Sequence, residues 1–107
     1  MPRGSPRLRT PEGKLNQIAT RVRQRRSELK LTQDALCARL ATATDGGWIA
    51  DRRDIFRIED GRRSIHDLEV VALALALECA ACWLLLGEPA PSPNADAPPP
   101  GGPPARA

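Results

Sequence analysis

The stretch DRRDIFRIEDGRR, residues 51–63, decides the fold. Asp51 is a residue type that caps free backbone N–H groups, and Asp54 stands three positions on, the spacing of a capping box. Gly61 is the residue type that closes a helix in the left-handed conformation. Between them the spacing predicts about two and a half turns of helix. Ile55, Ile58 and Glu59 fall at i, i+3 and i+4 and share a face; Arg53 and Arg57 share the opposite one, with Arg52 and Phe56 on the flank. The expected element is a short helix with its back in a core and cations in front. Asp54 interrupts the positive front, and arginine mixed with carboxylate suits readout of base edges as well as attraction to phosphate.

The rest of the chain is organised around that helix. With 107 residues, 41% of them hydrophobic, it supports one small domain with a lean core of one Phe, two Trp and no Tyr. Residues 1–30 carry nine Lys/Arg against two acids, 31–63 six against six, and 64–87 none against three. The positive charge therefore sits at the front, as on a surface that meets a polyanion.

Residues 14–30 read as the first helix. Leu15, Ile18, Ala19, Val22, Arg26 and Leu29 form one stripe, apolar except for Arg26, which needs a partner if buried. Arg21, Arg23 and Arg25 are expected to point to solvent or nucleic acid. Thr32 is the cap of a second helix with Ala35, Leu36 and Leu40 on its apolar face. The pattern breaks over 41–50, where Asp45-Gly46-Gly47 marks a turn and Trp48 reads as a loop anchor in preference to a base-stacking platform. Ser64 or Asp67 opens a fourth helix to about Leu77, with Leu68, Val71, Ala72 and Leu75 as its main stripe and Val70, Leu73 and Leu77 beside it. Residues 79–86 make a fifth, stopped by Gly87. From Val70 to Leu86 only Glu78 is charged, but a span would need about 20 apolar residues, so no membrane segment is expected. The surplus apolar surface of helices 4 and 5 points to self-association or to a core-closing helix.

The expected fold is all-α: a compact five-helix domain over 14–87, a basic flexible arm over 1–13 and a Pro/Ala/Gly-rich disordered tail over 88–107. The arm lacks the apolar core of a signal peptide. It reads either as a floppy leader or as an arm that tracks phosphates.

Residues 14–87 resemble the Cro- and phage-repressor-like (Xre-type) helix-turn-helix domains. The likeness rests on RVRQRR at 21–26 ahead of LKLTQ at 29–33, on IFRIEDG at 55–61, and on LAL at 75–77 followed by WLL at 83–85. It implies a lambda-repressor-like five-helix bundle with helix 3, about 52–60, as the recognition helix in the major groove. The DNA-binding set it implies is Thr32, Gln33, Arg52, Arg53, Asp54, Arg57, Arg62 and Arg63, with Gln33 on a phosphate and Arg62 and Arg63 on the flanking backbone. It implies a structural salt bridge between Arg26 and Glu59, which would answer the cation on an apolar stripe. The chain departs from the family in its roughly ten-residue connection between helices 2 and 3, and in Lys30 where Gly is frequent.

The implied function is a sequence-specific DNA-binding transcriptional regulator whose partners are double-stranded DNA and a second copy held through the helix 4–5 surface. The alternative is an antitoxin-like or adaptor protein that uses the fold to bind another protein. Cys79-x-x-Cys82, Cys37 and His66 offer one short-spaced pair where a zinc site of that type has two, so no metal and no cofactor are expected. An odd number of cysteines without a secretory signal fits free thiols in the cytoplasm, with the protein on the nucleoid. One His with no triad or phosphate-cradling loop near it gives no support to an enzyme.

Overall fold

The computed structural model describes residues 7–88. Among them are five helices and no strand: α1 Ala19–Glu28, α2 Gln33–Ala43, α3 Arg52–Glu59, α4 Asp67–Ala76 and α5 Ala81–Leu86. The all-α expectation holds. Residues 1–6 of the expected arm and 89–107 of the expected tail lie outside the described residues. One core, built on Ile18, Val22, Leu36, Leu40, Ile55, Ile58, Leu73, Leu77 and Leu84, joins the five helices. No helix among the described residues is long and apolar enough to cross a membrane.

α3 forms as its residues dictate. The Asp51 carboxylate accepts from Asp54 N at 2.9 Å and the Asp54 carboxylate accepts from Asp51 N at 3.0 Å, a reciprocal cap. Ile55 and Ile58 are fully buried and Glu59 nearly so. Gly61 ends the helix at φ 75°, and a side chain there would run into that of Lys14.

α1 starts at Ala19, not near residue 14 as the apolar stripe predicted. The preceding residues serve as a strap instead. Thr10 N donates to Lys14 O at 2.9 Å, closing a turn, and Leu15 N donates to Gly61 O at 2.8 Å. Buried Asn16 donates to Ile58 O (3.1 Å) and Arg63 O (2.9 Å) and accepts from Ile18 N (3.1 Å). These bonds tie the start of α1 to the end of α3, and tertiary hydrogen bonding overrides helical periodicity.

α2 begins at its Thr32 cap but continues through Ala43, past the expected break. Small residues carry the helix on, and Thr44 closes it by donating its hydroxyl to Leu40 O at 2.7 Å. The connection to α3 is therefore residues 44–51, shorter than predicted.

α4 turns all of its predicted main stripe outward except Ala72. Leu68, Val71 and Leu75 are 73%, 52% and 61% exposed, while Val70, Leu73 and Leu77 are buried with Ala72, Ala74 and Ala76. The helix is apolar nearly all round, so periodicity cannot choose a face. The alanines lie on the buried side, where α4 packs on α2.

Two arginines of α1 also depart from expectation. Arg21 donates to Leu84 O (2.7 Å) and Leu85 O (2.9 Å), and Arg25 to Leu77 O (2.9 Å) and Glu78 O (3.0 Å). From α2, Arg39 reaches Ala76 O at 3.0 Å and the Glu78 carboxylate at 2.9 Å. The last carbonyls of a helix have no partner within it and carry the negative end of its dipole, so cations seat there naturally. Much of the basic charge at the front of the chain thus ties α4 and α5 to α1.

Candidate functional site

The outer face of α3 is the candidate site. Its inner face is locked by Ile55, Ile58 and Glu59 in the core. Glu59 accepts from Arg26 Nε at 2.6 Å and Nη2 at 3.0 Å, and from Gln33 Nε2 at 3.3 Å, with Arg23 Nε at 3.7 Å. Only 1% of the Glu59 side chain is exposed. The Arg26–Glu59 pair joins α1 to α3, and its hydrogen bond raises the Arg26 pKa. A third Arg26 bond, to Leu31 O at 2.9 Å, braces the connection into α2.

On the outer face, Arg53 and Arg57 are exposed, and their side chains make no hydrogen bond or ion pair within the described residues. Phe56 between them is 48% exposed. Arg52 reaches back to Asp34 in the first turn of α2, with contacts of 2.9 and 3.3 Å. This pair brings the starts of α2 and α3 together, though both groups are well exposed and the link contributes little stability.

The other expected contact residues are committed locally. The Thr32 hydroxyl accepts from Ala35 N at 3.0 Å, and Gln33 points at Glu59. The Asp54 carboxylate is turned back onto Asp51 N. Arg62 pairs with Asp60. Arg63, expected on flanking phosphate, is instead chelated by Glu69 at 2.9 and 2.7 Å. Its guanidinium carbon lies 5.6 Å from the centroid of the Trp48 ring. The hydrogen bond with Glu69 raises the Arg63 pKa and holds the Glu69 carboxyl below its ordinary value.

Sequence reasoning missed Asp34 as the partner of Arg52 and Glu69 as the partner of Arg63. Only the first left a trace, an acid in the first turn of α2. Trp48 was legible as a loop anchor but not as a platform for Arg63.

Among the described residues no cluster of three or more His, Cys, Asp or Glu is arranged to hold a metal ion. Burial pushes the Cys79 thiol up to about 11, so it stays protonated at neutral pH. A second surface feature is the apolar strip of Leu68, Val71 and Leu75 on α4; Leu86 at the end of α5 is likewise 72% exposed. Beside the strip, Leu75 and Ala76 line an open groove of about 550 Å³ with Ala38, Arg39, Thr42 and Ala43 of α2. Comparisons with protein-family models, with curated proteins and with solved structures returned no match.

Proposed function

We propose that this chain is a sequence-specific DNA-binding regulator of the Xre-type helix-turn-helix kind, with α3 as the recognition helix. The observation that carries the reading is how the arginines are engaged. From Arg21 to Arg63 every arginine side chain has a partner among the described residues except Arg53 and Arg57. Those two stand together on the outward face of a helix whose back is fixed. An arginine left with free N–H groups in a fork is suited to the guanine edge or to phosphate. In this reading Arg53, nearer the helix start, takes base edges, Arg57 takes base or backbone, and exposed Phe56 touches a thymine methyl. Arg52 and Arg62 reach phosphate by exchanging their exposed carboxylate partners. Thr32 and Gln33 present the start of α2 to the backbone, and Asp54 orients the start of α3 without touching a base.

The regulator works on the nucleoid as a homodimer across the Leu68, Val71 and Leu75 strip, reading two half-sites about one helical turn apart. The same strip favours a second reading, in which the fold is an adaptor and the strip takes a different protein.

The test is binding to sites selected from a random pool, measured across salt. An arginine that neutralises one phosphate adds about 0.9 to the steepness of log K against log salt, and its removal should subtract the same amount. Arg53→Ala should narrow the gap between selected and random sequence by about 1–3 kcal/mol. If neither Arg53→Ala nor Arg57→Ala alters retention on DNA, the adaptor reading replaces this one.

A further inference from the structure

Residues 44–51 form a longer connection than the helix-turn-helix resemblance implies, and side chains from it, from the α3–α4 connection and from α4 converge behind it. The Thr44 hydroxyl donates to Leu40 O and accepts from Trp48 N at 2.9 Å, curling the loop back on α2. Trp48 is half-buried against the core. Arg63 lies over its ring and is held by both oxygens of Glu69. Glu69 is fixed in turn by His66 N at 3.2 Å, the cap of α4, while Arg63 O accepts from buried Asn16. The remaining Arg63 bond goes to Ser64 O at 3.2 Å.

We propose that Arg63 is a positioning residue: placed over the Trp48 ring and gripped by Glu69, it clamps loop 44–51 onto the α3–α4 junction and so restrains the first turn of α3. Trp48 lies three residues before Asp51, the cap of α3, and a chain spans at most about 3.6 Å per residue. Anchoring the indole therefore restrains the cap. In a shorter turn the chain itself would hold the start of α3; here a side-chain clamp adds to what core packing already fixes. The link to function rests on the DNA-binding reading, because the turn so restrained is the base-reading end of α3.

The experiment uses the full chain with Trp83→Phe, so that Trp48 is the sole fluorophore. In that background Arg63→Lys keeps the charge but loses the planar fork that grips both oxygens of Glu69. Trp48 emission should shift to the red and become more accessible to acrylamide. The amides of Asp54 and Ile55 should exchange about tenfold faster, while those of Leu77 and Leu84 keep their rates. On a selected DNA site the affinity should fall with an unchanged salt slope. Trp48→Leu should reproduce the exchange pattern without touching Arg63. The proposal is overturned if Trp48 emission does not move, or if all amides accelerate together, as general destabilisation would produce. It is also overturned if Arg63→Gln, which removes the charge, lowers the salt slope by about 0.9, as expected of a residue that itself touches phosphate. If the wild-type chain binds no DNA, the functional reading fails, and fluorescence and exchange still decide the clamp.

Discussion

Removing Arg26 should be the most damaging charge deletion in the molecule. Its guanidinium makes two charge-assisted bonds to Glu59 and one to Leu31 O, and its side chain is 17% exposed. In Arg26→Met the stem still packs, but Glu59 stays in the core with its main partner gone. Breaking one side of a buried pair costs about 3–5 kcal/mol. The Gln33 amide remains at 3.3 Å and Arg23 can close in from 3.7 Å, so the lower end, about 3 kcal/mol, applies. That is a large share of the total for a domain stabilised by about 0.05–0.15 kcal/mol per residue. The assay is urea unfolding at neutral pH followed by helical circular dichroism. Adding Glu59→Leu to Arg26→Met removes the stranded charge, and stability should return to within about 1–2 kcal/mol of wild type. If Arg26→Met costs under about 1 kcal/mol, or the double variant loses the sum of the two singles, the buried-pair account fails.

Other expectations follow from single features. Lys30 sits at φ 59° with an exposed side chain that has no partner among the described residues, so Lys30→Gly should stabilise by about 0.5–1 kcal/mol in the same melts, and a loss of stability would show that its side chain matters. The Glu69 carboxyl is held below its ordinary 4.5 by Arg63, so the stability it contributes is complete above that value and disappears as pH falls through the lowered one. Glu69→Gln should accordingly cost stability at neutral pH and progressively less on acidification; a cost independent of pH would assign it to packing alone. Leu75→Glu lies on the exposed strip, so it should convert a dimer to a monomer in light scattering and leave an unfolding midpoint that no longer rises with protein concentration. A wild-type chain that is monomeric at high micromolar concentration would remove the dimer altogether.

α3 was legible in full because several local signals agree there: a reciprocal acid cap, a left-handed glycine and a sharp contrast between faces. The outward placement of Arg53 and Arg57 was legible for the same reason. The face of α4 was not, since Leu68, Val71 and Leu75 differ from Val70, Leu73 and Leu77 only in what packs on them. The start of α1 was lost to Asn16, whose partners lie 42 and 47 residues away. The destination of Arg63 was hidden for a related reason: lying over Trp48 needs the loop already folded, and spacing along the chain carries no sign of it. A cation count treats Arg21 and Arg53 alike, although one holds α5 and the other faces solvent.

The grip of Arg21 and Arg25 on main-chain oxygens gives the domain a one-sided lock. Any amino acid at positions 77, 78, 84 or 85 offers the same oxygen, so only the arginine half has to be remembered by the gene. The bonds ask nothing of the side chains there, so Leu77 and Leu84 answer to the core alone, and the apolar strip, made of other residues, is free to drift with whatever it has to touch. A change of partner at that strip could therefore proceed without loosening the helices that carry it, and paired substitutions across the lock would leave no trail to find.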